Sequence, residues 1–193
     1  ALETMEIFVP IANRLGIGVV KVKLEDLAFK YLESENYEKI KKLAETEYSQ
    51  MEKNIEQVVS ELKKELKKEG INFIDISGRA KSLYRLFIKI QDHDMDIHKI
   101  YDLAGIRIIV PSISDCYETL GIVHRIYHPL IGRIKDYISL PKPNGYQSIH
   151  TTIFAPEGKF LEVQIRTQQM HDESEFGIAA HWMYSEHKKD WRD

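Results

Sequence analysis

Across residues 37–69, Ala44, Tyr48, Met51, Ile55, Val58, Leu62 and Leu66 fall three or four apart, and Glu and Lys fill most of the other positions. This spacing draws one apolar stripe along one long helix. A self-standing coiled coil is one way to bury the stripe. Packing it onto the rest of the chain, as a linker helix, is the plainer one. Gly70 ends the helix. Beyond it the texture changes. Short β-branched or alternating runs at 72–77, 104–110, 148–154 and 160–165 predict strands. Helical patterns lie at 79–91, 114–127 and about 168–187. Upstream, residues 3–15 read as the end of a helix with Met5, Phe8, Ile11 and Ala12 on one face. A break is expected at Pro10 and a stop at Gly16 and Gly18. Residues 22–34 give a second short helix. The expected fold is α+β: an all-helical segment, then a mixed β-sheet flanked by helices.

The net charge of −3 gives no overall basic field for nucleic acid, so any anion site must be built locally. The single cysteine, Cys116, excludes an internal disulfide and suits the cytoplasm. No apolar run approaches the roughly 20 residues that span a bilayer, and no signal-peptide pattern opens the chain. The chain lacks a starting Met and begins inside a helix-like phrase, which points to a piece of a longer protein.

Polar residues at strand ends are the candidates for chemistry. Arg79 and Lys81 follow the first predicted strand where a helix is expected to begin. Backbone N–H groups there favour anions, although taken alone the pair reads as a solvated basic turn. Asp102 precedes the run 103–110 and is a plausible Mg²⁺ ligand or a turn residue. Arg107 interrupts that strand and must find a partner or face a cleft. Residues 132–150 gather Arg133, Lys135, Lys142, Tyr146 and His150 around the turn signal Asn144-Gly145. Cations for phosphate beside a ring for a base are what a nucleotide site needs. Along 162–166, Glu162, Gln164 and Arg166 share one face of a strand, either a solvent face or the floor of a cleft. If this strand lies beside the one after Asp102, the two carboxylates come together.

Other signals are weaker. His93-Asp94 and His171-Asp172 are HD dipeptides without a fitting set of further ligands. His124 and His128 stand four apart on an expected helix without a third zinc ligand. Cys116 lies with Leu120 and Val123 on an apolar helix face and reads as core. Trp182 and Tyr184 read as packing residues of the last helix.

The phrases GRAKSLY, YDLAGIRIIV, GRIKDYISLPKPNGYQSIHTT, LEVQIRTQQMH and GIAAHW, in this order and spacing, resemble the synthetase domain of the Rel/SpoT family of alarmone enzymes. ETMEIFVPIANRLGI and LEDLAFKYLE look like the tail of that family's hydrolase domain. The resemblance implies residues 1–20 as that tail, 21–70 as a helical linker and 71–193 as the synthetase domain, with a fold similar to nucleotidyltransferases of the polymerase-β type. It implies transfer of pyrophosphate from ATP to the 3′-hydroxyl of GDP or GTP with release of AMP, in the bacterial stringent response. No hydrolase activity is expected, because the family's HD motifs lie upstream. By matching motif positions, Asp102 and Glu162 would hold Mg²⁺, and Glu162 would help deprotonate the hydroxyl. Arg79 and Arg107 would sandwich adenine, and Lys81, Lys89 and Arg133 would contact phosphates. Tyr146 would stack on guanine, with Lys142, Asn144, Gln147 and His150 around the guanine nucleotide. The tetrad Arg133-Ile134-Lys135-Asp136 resembles that of bifunctional members, which implies a lean toward GDP. Ala80 and Ser82 depart from the Pro and His common around the first basic motif, and DLAGIR also resembles the small, synthetase-only members. Ribosome contact of the parent protein would run through regions outside this chain. The competing expectation is a nucleotide-binding regulatory module without turnover.

Overall fold

The computed structural model describes residues 1–92, 104–177 and 180. At its centre is a five-stranded mixed sheet in the order β1-β2-β5-β4-β3. The strands are β1 (Asp75–Ala80), β2 (Ala104–Val110), β3 (Lys135–Asp136), β4 (Ile149–Phe154) and β5 (Phe160–Thr167). β2 and β5 run parallel and the other neighbours antiparallel. The helices are α1 (Val9–Arg14), α2 (Gly18–Leu32), α3 (Ser34–Lys68), α4 (Leu83–Gln91), α5 (Ile113–Ile126) and α6 (Gln168–Phe176).

Strand alternation gives the sheet two unlike faces. Leu161, Val163 and Ile165 of β5 and Ile106 and Ile108 of β2 point into one core with Val58, Leu62 and Leu66 of α3 and Cys116 and Val123 of α5. Burying each large aliphatic side chain of that cluster contributes roughly 1.5–3 kcal/mol. The stripe on α3 is therefore packed onto the sheet, and Cys116 is core. The opposite face carries Arg79, Gly105, Arg107, His150, Glu162 and Gln164, brought level by the pairings Arg79↔Gly105, Gly105↔Glu162, Arg107↔Gln164 and His150↔Gln164.

Several expectations are corrected. β1 runs on to Ala80, so Arg79 lies on a strand, and α4 begins only at Leu83. The reason is the pairing of Arg79 and Ala80 with Gly105 and Ala104 of β2, and Gly78 lets α3 close on the strand, since an added Cβ there would lie 2.7 Å from Ile55 Cγ2. Gly16, at φ 74, ends α1, but Gly18 opens α2 instead of stopping a helix. The break at Pro10 takes the form of a π-helical turn, Thr4–Phe8, passing into α1, where the missing proline N–H falls in the first turn. α6 ends at Phe176 with Gly177 at φ 57, so the helix expected to about residue 187 is interrupted there. His93, Asp94, Asp102, Trp182 and Tyr184 lie outside the described residues.

A capping box between Ser112 and Asp115 starts α5. The helix ends at Ile126, so His128 is not on it. His124 Nε2 lies 2.9 Å from Thr151 Oγ1, and burial holds its pKa below the ordinary 6.5. The unfolded chain binds this proton near pH 6.5, whereas the native chain binds it only at lower pH. The stability is therefore whole above 6.5 and is lost as pH falls through 6.5 toward the depressed native value. Between pH 7 and 5 the unfolding temperature of His124→Gln should fall less than that of the unmutated chain. Equal falls in thermal scans would remove His124 from this account.

Candidate active site

The polar face forms the floor of a cleft of about 980 Å³. Its walls come from both halves of the chain: the segment 80–82, the turn 142–146, α6, and the α1–α2 elbow with Asn13, Lys21 and Lys23. Among the described lining residues, eight Lys and Arg side chains stand against three carboxylates. A chain of net charge −3 has thus concentrated positive charge in one place, a local field that favours anions.

On the floor, Glu162 accepts from His150 Nδ1 at 3.0 Å and from Gln164 Nε2 at 3.0 Å. His150 Nε2 lies 2.8 Å from the Tyr146 hydroxyl. With neutral His150 protonated on Nδ1, the line runs from the Tyr146 O–H through the imidazole to the Glu162 carboxylate, every bond with one donor and one acceptor. Arg79 Nη1 donates to Gln164 Oε1 at 2.9 Å. Burial, then the neighbouring Arg166 and Arg79, pushes Arg107 down to about 10.

The turn after β3 is held from below. Asp136 accepts from Ile138 N, Ser139 N and the Tyr117 hydroxyl at 2.9, 3.0 and 2.9 Å. Gly145, at φ 78, turns the chain so that its N–H meets Lys142 O at 2.8 Å. The Asn144 side chain accepts from Tyr146 N at 3.3 Å. The Tyr137, Tyr146 and His150 rings meet edge to face, and Lys142 Nζ lies 4.6 Å from the Tyr137 ring centre and 5.2 Å from that of Tyr146. Burial raises the Tyr146 hydroxyl pKa, keeping it a donor at neutral pH.

Of the residues singled out in the sequence, Arg79, Lys81, Arg107, Lys135, Lys142, Asn144, Tyr146, His150, Glu162 and Gln164 line the cleft; Lys89, Arg133, Gln147 and Arg166 do not. Gln147 instead donates to Ile138 O at 3.1 Å. Tyr137, Arg85 and Glu175 also line it. Alternation put Gln164 on one face with Glu162 without deciding between solvent and cleft. Tyr137 stood in the same basic phrase, but its packing on Tyr146 has no signal in spacing.

A divalent ion of the Mg²⁺ type takes one or two carboxylates beside water and phosphate oxygens. Among the described residues no three His, Cys, Asp or Glu side chains gather as a metal cage, and Glu162 puts one carboxylate on the floor. One carboxylate facing a cationic cleft is a donor set that a divalent ion bound chiefly through water and phosphate oxygens can use.

The sheet and cleft define a nucleotidyltransferase-like synthetase fold. It is similar to the small alarmone synthetase 1 from Bacillus subtilis bound to its product pppGpp (TM-score 0.58, 21% identity, covering 79% of this chain and 83% of that one). It is also similar to the small alarmone synthetase 2 from the same organism (TM-score 0.53, 27%, covering 77% and 79%). The model of the region found in RelA / SpoT proteins matches residues 78–189, and the chain belongs to that family. It is 48% identical over 186 residues to a probable guanosine-3′,5′-bis(diphosphate) 3′-pyrophosphohydrolase of Synechocystis, covering 96% of this chain and 24% of the relative. It is 44% identical over 186 residues to a GTP pyrophosphokinase of Escherichia coli, covering 96% and 25%. The chain spans about a quarter of the length of these curated relatives. No helix among the described residues is long and apolar enough to cross a membrane.

Proposed function

We propose that the cleft is the active site of a (p)ppGpp synthetase, which moves the β,γ-pyrophosphate of ATP to the 3′-hydroxyl of GDP or GTP and releases AMP. The observation that carries this reading is the line Tyr146–His150–Glu162 laid across a cationic floor. The 3′-oxygen bonds to the β-phosphorus of ATP, the bond from that phosphorus to the α-phosphate bridging oxygen breaks, and AMP leaves with the electron pair. Glu162 takes the hydroxyl proton, and His150 steadies the carboxylate through its Nδ1–H. Such a transfer depends on positioning and charge neutralisation more than on covalent chemistry by the protein. Arg79 and Arg107, on neighbouring strands of the floor, hold the adenine between them, and Lys81 meets the phosphates. Tyr146 stacks on the guanine, with Lys142, Asn144 and His150 around that nucleotide. Mg²⁺, held by Glu162 with Asp102 as the second carboxylate, supplies charge screening and orientation of the donor when bound.

Residues 1–20 and 21–70 are then the end of a preceding hydrolase domain and a linker, and 71–193 the synthetase domain. This chain has no hydrolase activity on this reading, and it works in the cytoplasm. Tyr146→Ala should raise the KM for the guanine nucleotide about tenfold or more, in keeping with about 1–3 kcal/mol per stacked base, and leave the KM for ATP within threefold. Initial rates against each nucleotide in turn check this, and an effect confined to ATP would refute the stacking role.

A further inference from the structure

This inference rests on the transferase reading of the cleft. Glu175, near the end of α6, places Oε1 3.1 Å from Arg107 Nη2 and 3.1 Å from Arg166 Nη2. Arg166 has no exposed surface, and its Nη2 also meets His171 Nδ1 at 2.7 Å. Among the described residues, Arg107 Nε, Arg166 Nε and Arg166 Nη1 are buried without a hydrogen-bond partner, and the Glu175 carboxylate is an anion that both guanidinium groups share. Of the two, only Arg107 lines the cleft. Arg166 forms a buried base beneath it.

The position of α6 is itself tightly set. A Cβ on Gly18 would lie 2.4 Å from Ser174 O, and one on Gly177 would lie 2.1 Å from Leu15 O. The α1–α2 elbow thus grips α6 on both sides of Glu175, by backbone contacts that tolerate no side chain.

A guanidinium that stacks on a base needs its flat face free and its edge anchored. We propose that Glu175 is a positioning residue for the ATP side of the reaction: its carboxylate anchors Arg107 by the edge and keeps the face of the guanidinium turned to the adenine. Without the carboxylate, Arg107 and Arg166 repel across a poorly solvated gap, and Arg107 leaves the stacking position. Among the described residues no hydrogen bond or ion pair runs from Glu175, Arg107 or Arg166 to Lys142, Asn144, Tyr146 or His150, and only the charges of the two guanidinium groups reach Tyr146, so the effect falls chiefly on ATP.

The test uses the whole chain, with kinetics against ATP and GDP and calorimetric affinity for α,β-methylene-ATP. Glu175→Gln should raise the KM for ATP and the Kd of the analogue roughly tenfold, the loss expected for one charge-assisted hydrogen bond, with the KM for GDP within twofold. Glu175→Asp, which keeps the charge with a shorter reach, should fall between the two. In an Arg107→Gln background, Glu175→Gln should add less than twofold, because residues acting through one another are not additive. Equal weakening of both nucleotides, or an undiminished effect in the Arg107→Gln background, overturns the proposal. Analogue affinity is read without turnover. An unmutated chain that binds the analogue and makes no product therefore contradicts the transferase reading alone, and the affinity comparison still decides the role of Glu175.

Discussion

Glu162→Gln lowers the turnover of the chain about 10³-fold, roughly 4 kcal/mol of transition-state stabilisation, while the fold persists. The substitution keeps the size of the side chain. What it removes is the negative charge. The amide is a far weaker base for the 3′-hydroxyl proton and a far weaker ligand for a divalent ion. It also disturbs the floor network, because the carboxylate accepts at 3.0 Å from both His150 and Gln164. On the proposed mechanism the loss belongs to kcat, since Glu162 would act on the reacting atoms more than on the bases of either nucleotide. Unfolding temperature should stay within about 2 °C, as expected for a partly exposed, non-core substitution. A variant whose kcat lies within tenfold of the unmutated chain would remove Glu162 from the chemistry.

Gly105→Ala produces a large loss of stability for a single added methyl. Gly105 pairs with Glu162 across the parallel β2–β5 junction, and an added Cβ would lie 2.5 Å from Glu162 O and 3.4 Å from Glu162 Cβ. The contact is with backbone, so no side chain can swing aside, and the two strands must part. The expected cost is about 2–4 kcal/mol, a fall of roughly 5–12 °C in unfolding temperature for a chain of this size. Activity falls with it, because the spacing of β2 and β5 sets where Glu162 stands. Gly121→Ala is the control. Its added Cβ meets nothing within 4 Å on α5, and in a helix Ala is favoured over Gly by up to about 1 kcal/mol. Two variants unfolding at the same temperature would show that the β2–β5 gap has room the structure does not.

Much of the frame was legible because it rests on periodicity. The expected strand at 104–110 coincides with β2, and the stripe on α3 buries as its spacing requires. Alternation placed Glu162, Gln164 and Arg166 on one face but left solvent and cleft both open. The register with β2 turns that face into a floor at Glu162 and Gln164, while Arg166 is fully buried beneath α6. What the sequence hid is long-range. Asp26 of α2 accepts from Tyr84 N at 2.9 Å, capping α4 from another element, and the Tyr48 hydroxyl of α3 donates to Lys81 O at 2.8 Å. These bonds make the N-terminal helices part of the wall that carries Lys81, and no local pattern encodes them. The two-residue strand β3 is too short for alternation to reveal. The displaced start of α4 has the same origin, since the strand pairing of Arg79 and Ala80 overrides a helical run of residues.

The most direct test of the transferase assignment is a product assay. The purified chain is mixed with ATP, Mg²⁺ and either GDP or GTP, and the nucleotides are separated by anion exchange. The expected result is AMP appearing in equal amount with a guanosine tetra- or pentaphosphate, and neither appearing with Glu162→Gln. AMP without the guanosine product would contradict the assignment, and a guanosine product formed equally by Glu162→Gln would remove Glu162 from the chemistry. Tight nucleotide binding with no product at all would make the cleft a binding module instead.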